Sequence, residues 1–252
     1  MANLNVEVLK LPLGFIRIVE LPMILIAFGS MSGWEKSFKY TPNCLDKPAE
    51  KTYHVDTFKL DKFMIASNSC FIGGESSPAV PLWGEGYGSS SGFFIFTGIV
   101  SLLFVLAILA VYLLLWGNYE SDSRLASLDF VITAVLTVFW FLGTIFWWSG
   151  ANGVGHLTSK ASIQTQLTFR DAACGPPKSN LCPVTLDGGN SGLVISVLAG
   201  WACSLLFLAN CWFVYKETIW FRNREASRAY ADSQNTAYTA PPQYAPPMSY
   251  QR

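Results

Sequence analysis

Charged side chains are scarce in this chain. It has 17 Lys and Arg against 17 Asp and Glu in 252 residues, a formal net charge of zero. That balance offers no basic field for nucleic acid. Histidine is rarer still: His54 and His156 are the two present, in no metal-ligand spacing. The sequence has no phosphate-binding glycine loop, paired-carboxylate site or nucleophile motif, so it is read as a non-enzyme without a cofactor. Neither long polar loop holds an N-x-Ser/Thr sequon, since Asn68-Ser-Cys70 and Asn180-Leu-Cys182 carry cysteine at the third position. Little N-glycan is expected. Met1–Lys10 has no cationic cluster, and no small-residue cleavage site follows the first apolar run. That run is read as an uncleaved anchor.

What is abundant is apolar sequence, with 51% hydrophobic and 15% aromatic residues. Four apolar segments run over Leu13–Met31, Phe93–Trp116, Phe130–Trp148 and Leu193–Tyr215. The second holds 24 residues without one charge. At a rise of about 1.5 Å per residue it is roughly 36 Å long, enough to cross a bilayer core of about 30 Å. An ordinary soluble helix needs a polar face, and these segments lack one. In lipid the backbone must satisfy its own hydrogen bonds, so the segments are predicted to be helices. The expected fold is an all-α membrane protein, a four-helix bundle over 13–216. Loops 32–92 and 149–192 lie on one side; an N-terminus of 1–12 and a tail of 217–252 lie on the other.

Tryptophan placement agrees with membrane interfaces. Trp34, Trp116, Trp147, Trp148, Trp212 and Trp220 stand at span ends, where aromatic belts form. Trp140 and Trp201 fall mid-span and are expected to pack between helices. Lys216, Arg222, Arg224 and Arg228 follow the fourth span and mark that side as cytosolic. The opposing signal is Lys36, Lys39, Lys47, Lys51, Lys59 and Lys62, in a loop near the length at which the rule lapses. Cysteine adds to the cytosolic reading. Cys44 and Cys70 lie in the first loop and Cys174 and Cys182 in the second, as expected in an oxidising lumen. Four cysteines allow three pairings. Within-loop pairing, Cys44–Cys70 with Cys174–Cys182, is the simplest, and unpaired thiols are the alternative. Cys203 and Cys211 read as small packing residues, with Cys211 also a candidate for palmitoylation.

Within the spans, Arg17 and Glu20 are three apart and share a helix face, so they can pair. Intramembrane charges are functional candidates. The blander reading is favoured: both sit near the entry of the span, and Arg17 can snorkel outward. Pro22 removes a backbone donor and is a candidate kink. Asp129 opens the third span and is read as a capping carboxylate at the positive end of the helix dipole. Gly29/Gly33 and Gly200/Ser204 have the small-xxx-small spacing that permits close helix approach.

Four stretches carry a family resemblance. They are Pro12-Leu-Gly-Phe-Ile-Arg-Ile18 with Gly29-Ser-Met-Ser-Gly33; Gly86-Tyr-Gly-Ser-Ser-Ser-Gly-Phe-Phe94; Leu128-Asp-Phe130 with Thr133-Ala-Val135; and Trp212-Phe-Val-Tyr-Lys-Glu-Thr218. In order and spacing the chain resembles the synaptophysin family of vesicle proteins, built on the four-helix MARVEL domain. It departs at Phe28, where a cysteine is usual, at Glu20, where a neutral residue is usual, and in its short tail. The resemblance implies a homo-oligomer of synaptic or cytoplasmic vesicle membranes that associates with cholesterol. It also implies binding to synaptobrevin-type fusion proteins and to the vacuolar proton pump. Lys10, Phe15 and Val19 fit a reversed cholesterol pattern. The alternative is a channel- or junction-forming four-span protein, which calls for a polar stripe that spans two and four lack.

From Glu225 the tail is polar and rich in Pro, Ala and Tyr, and is expected to be disordered. Pro241-Pro242-Gln243-Tyr244 fits a WW-domain ligand, in which a preformed extended helix docks an aromatic groove. Tyr230, Tyr238, Tyr244 and Tyr250 are candidate phosphorylation sites.

Overall fold

The structure, a computed structural model, describes residues 6–44, 50–56, 58–70, 77–121, 123–175 and 182–239. Among the described residues, four helices are long and apolar enough to cross a membrane. They are α1 (Pro12–Ser32), α2 (Gly88–Leu114), α4 (Ser123–Leu157) and α6 (Ser191–Glu217). A short α3 (Trp116–Ser121) turns the chain between α2 and α4. Pro12 starts α1 at the position where a missing N–H costs nothing. Pro22 lies inside α1, yet the helix continues to Ser32. Helix α4 has 35 residues, or about 52 Å, so it overruns a core of about 30 Å. The apolar run Phe130–Trp148 covers only its middle, because the ends of the helix are polar.

Extensive helix contacts run α1 to α2, α2 to α4, α4 to α6 and α6 to α1. Helices α1 and α4 therefore face each other across the bundle diagonal. Large side chains fill the axis. Trp140 is fully buried, with its indole N–H donating to Ser101 Oγ at 2.9 Å, and Phe94 packs against its face edge-on. Trp147 is also buried and donates to Ser196 Oγ at 2.8 Å. This corrects its assignment to an interfacial belt: the hydroxyl of α6 gives its N–H a partner inside the bundle. Trp34 is likewise buried, donating to the Gly189 carbonyl at 3.1 Å. Trp148, Trp212 and Trp220 are exposed as expected. Trp201 is half-buried against Phe141 and Trp148.

The two loops fold together. Strand β1 (Lys36–Tyr40) pairs antiparallel with β2 (Lys51–Val55) and, on its other edge, with β5 (Val184–Asp187) from the second loop. A hairpin of β3 (Met64–Ala66) and β4 (Ala79–Pro81) and the helix α5 (Lys160–Arg170) complete the unit. Asp171 accepts from the Ser69 and Ala173 N–H groups and from the Tyr40 hydroxyl, tying the loops again. Burial, with the Asp171 charge beside it, holds the Tyr40 phenol well above its usual range, so it stays a donor. Stacked rings of Phe38, Tyr40 and Tyr53 line the sheet. Gly188, at φ +93°, makes the turn from β5 into α6, a conformation that side chains disfavour. Trp83 donates to the Leu157 carbonyl at 3.1 Å, and the Phe58 ring meets Trp147 edge-on at 4.9 Å, seating the unit on the bundle. None of these strands was anticipated from the sequence.

Both disulfides are within a loop, Cys44–Cys70 and Cys174–Cys182. Cys203 is buried and Cys211 is half-buried, its Sγ 3.4 Å from the Thr137 hydroxyl. On the opposite side the polar tail begins as a helix, α7 (Ile219–Thr239). The expectation of disorder from Glu225 does not hold for 225–239. That stretch has Ala226, Ala229, Ala231 and Arg228, which favour helix, and no Gly or Pro before Pro241. Pro241, Pro242 and Tyr244 lie outside the described residues, as does Tyr250. Tyr230 is exposed on α7.

Removing the two disulfides separates their contributions. Loop-closure entropy predicts a loss of about 3.5 kcal/mol for Cys44→Ala with Cys70→Ala, whose bridge spans 26 residues. It predicts about 2.5 kcal/mol for Cys174→Ala with Cys182→Ala, which spans 8. Thermal unfolding in mild detergent measures both, and the larger loop must show the larger drop.

Candidate functional site

The charges inside the spans converge on one cluster. Arg17 and Glu20 lie on the same face of α1, and Arg17 Nη1 donates to Glu20 Oε2 at 3.0 Å. The other arm of the guanidinium crosses the diagonal. Arg17 Nη2 donates to Asp129 Oδ1 at 2.7 Å and to Thr133 Oγ1 at 2.6 Å, both on α4. Thr133, one turn after Asp129, donates its own hydroxyl hydrogen bond to Asp129 Oδ1 at 3.1 Å. The second oxygen of Asp129 accepts from Tyr112 on α2 at 2.5 Å and from Tyr119 on α3 at 3.0 Å. Asn210 Nδ2 on α6 donates to Glu20 Oε1 at 3.1 Å. Thus five helices meet at three charges.

All three charged side chains are buried without solvent exposure. Arg17 therefore does not snorkel, contrary to expectation. An opposite charge across the bundle holds it inward, and the Phe104 ring lies 5.0 Å from its guanidinium centre. Asp129 does not cap a helix start either, because α4 begins at Ser123 and carries the carboxylate into the bundle. Two buried polar atoms of the cluster have no partner: Arg17 Nε and Asn210 Oδ1. Arginine keeps its proton under all ordinary conditions, so this cluster cannot lose its positive charge.

A cavity of about 420 Å³ opens beneath the cluster on the side of the termini. Leu11, Pro12, Trp116, Tyr119, Lys216 and Arg222 are among its walls. Tyr119 belongs to both the cavity and the cluster. Burial, and then the Asp129 charge, push its phenol well above the usual range, so it is a permanent donor to that carboxylate.

The small-residue positions separate into two kinds. A Cβ on Gly29 would meet nothing within 4 Å, and one on Gly33 would meet only the Gly29 carbonyl, at 3.3 Å. Both are exposed on the outside of α1. Gly200 is internal: a Cβ there would stand 2.8 Å from Thr144 Oγ1 and 2.9 Å from the Phe94 ring. Ser204 is buried beside it and donates to the Gly200 carbonyl. Gly200 and Ser204 therefore serve packing within the chain.

Sequence reasoning missed Tyr112, Tyr119, Thr133 and Asn210 as members of the cluster. Two carried a signal. Asn210 is a lone amide in an apolar span, and Thr133 lies four residues after Asp129, on its face. The tyrosines look like any interfacial aromatic until the bundle closes.

Asp129→Ala removes the acceptor of four donors and leaves Arg17 with one anion. A loss of about 3–5 kcal/mol is expected, the range for breaking a buried pair from one side. Tyr119→Phe keeps the ring and the pairing and is expected to cost about 1–2 kcal/mol. Thermal aggregation of the purified protein in mild detergent ranks the two.

The arrangement belongs to a recognisable architecture. The family model described as MARVEL, a membrane-associating domain, matches residues 8–213. That range takes in the four membrane-capable helices through Phe213, both disulfides and every member of the cluster from Arg17 to Asn210. The chain belongs to the MARVEL family of membrane-associating domains.

Proposed function

We propose that this chain is a synaptophysin-like organiser of vesicle membranes that works by assembly and partner binding, without catalysis. One observation carries the reading. The interior is filled by Trp140, Trp147, Phe94 and Phe207 and locked by buried charges, while the outer faces are apolar and exposed, as at Leu103, Leu198 and Leu205. The surfaces left for function are those that lipid and other transmembrane segments touch. A pore through a single subunit finds no support in so full an axis.

Three features fit particular contacts. The open stripe of Gly29 and Gly33 suits a second helix at close range, as in a homo-oligomer. Between α4 and α6 on the loop side lies a groove of about 460 Å³ with Trp148, Leu198 and Trp201 along it and Asn152 and Asn190 at its polar end. Such a shape suits a sterol, with its hydroxyl toward the amides. The basic residues Lys216, Arg222, Arg224 and Arg228 favour a cytosolic position for the termini, with the disulfide loops luminal. In that orientation synaptobrevin-type fusion proteins and the vacuolar proton pump are the expected partners in the membrane, and Pro241–Tyr244 faces cytosolic WW domains.

Crosslinking in native membranes tests the division of labour. Gly29→Leu with Gly33→Leu has room in the monomer and is expected to leave folding intact while weakening the oligomer. Gly200→Leu is expected to unfold the bundle itself. Deleting 240–252 leaves the oligomer unchanged and abolishes WW-domain capture. The tagged protein is expected in vesicles, with fusion proteins recovered in mild detergent and its tail alone open to added protease. Location at cell junctions, or reproducible conductance in planar bilayers that loop mutations alter, would replace this reading with the channel or junction one.

A further inference from the structure

The cluster around Arg17 contains one cation and two carboxyl groups, all shielded from solvent. With both carboxyls ionised it carries one uncompensated negative charge in a medium that solvates charge poorly. The groups facing Glu20 cannot supply the missing positive charge. They are Arg17 on its own helix, Asp129 on α4, and Asn210, Cys203 and Cys211 on α6, while Tyr112 on α2 and Tyr119 on α3 turn their hydroxyls to Asp129. Arg17 is already counted, and the others are neutral or anionic.

The hydrogen bonds say which carboxyl is the charged one. Asp129 accepts from four donors: Arg17, Thr133, Tyr112 and Tyr119. Glu20 accepts from two, Arg17 and the Asn210 amide. Asn210 is fully buried, and its Oδ1 has no partner. The oxygen and nitrogen of an amide exchange places by a half-turn. After that turn Oδ1 stands where Nδ2 now does, 3.1 Å from Glu20 Oε1. There it can accept a hydrogen bond, which a carboxylate cannot give and a carboxylic acid can.

We propose that the cluster is a binding site for one exchangeable proton, held on Glu20 and donated to Asn210 Oδ1, which brings the three-residue charge to zero. Binding converts the Glu20 carboxylate and a proton into the neutral acid, with no other bond made or broken. The cavity on the side of the termini reaches Tyr119, one hydroxyl from Asp129, which Arg17 joins to Glu20. The site is independent of the vesicle role proposed above, since it needs only the folded monomer.

Infrared spectroscopy of the full chain in lipid vesicles at neutral pH reads it directly, through the C=O stretch of a protonated carboxyl. The expected count follows charge neutrality: one buried protonated carboxyl in the wild type, none in Glu20→Gln, none in Asp129→Asn, and two in Arg17→Gln. The wild-type band shifts in D2O, because the proton exchanges. Glu20→Asp moves its frequency and Asp129→Glu does not. Glu20→Gln mimics the bound state, with its amide donating to Asn210 Oδ1 and its oxygen accepting from Arg17, so it keeps wild-type thermal stability. Absence of the band in the wild type, its persistence in Glu20→Gln, or a frequency that follows Asp129→Glu would each overturn the proposal.

Discussion

The bundle depends on a single charged contact, Arg17 to Asp129. It joins α1 to α4, which otherwise face each other across the diagonal with the other two spans between them. In an apolar medium a guanidinium has few alternatives to an internal anion, so the contact fixes the inward rotation of both helices. The remaining partners are placed by that choice. Tyr112 and Tyr119 converge because the second Asp129 oxygen needs donors, and the Asn210 amide is brought against Glu20. Specificity of this kind matters in lipid, where apolar helices gain little from touching one another rather than lipid tails.

The loop side uses a different principle. Each disulfide stays inside its own loop and only shortens the unfolded chain. What unites the loops is backbone pairing of β1 with β5 and the Tyr40–Asp171 contact. Trp83 and Phe58 then dock this unit on the protruding end of α4 and on Trp147. The two ends of the bundle are thus held by unlike means: ionic contacts near the termini, ring packing and a small sheet near the loops. Between them the axis is filled by tryptophan and phenylalanine. A molecule closed in this way has its free surfaces on the outside. This is why the proposed role rests on lipid and partner helices rather than on an internal chamber.

Much of this was legible in the residues. Apolar run length determined the number of spans, because a bilayer of fixed thickness demands it. Cysteine placement indicated the loop disulfides, and the ordered anchors from Pro12 to Thr218 pointed to the four-helix MARVEL domain. The spacing of Arg17 and Glu20 gave their pairing, since residues three apart share a helix face. What the sequence could not decide was how side chains meet across elements. Arg17 could snorkel or turn inward; a carboxylate 112 residues away decided it. Asp129 could cap or pair; the early start of α4 at Ser123 decided that. Gly29 and Gly200 have the same local signature, yet one faces open space and the other faces Phe94. The strands escaped notice because β1 finds one partner in the first loop and another in the second. Period and composition are properties of a segment, whereas partner choice is a property of the closed bundle, and only the tertiary structure holds it.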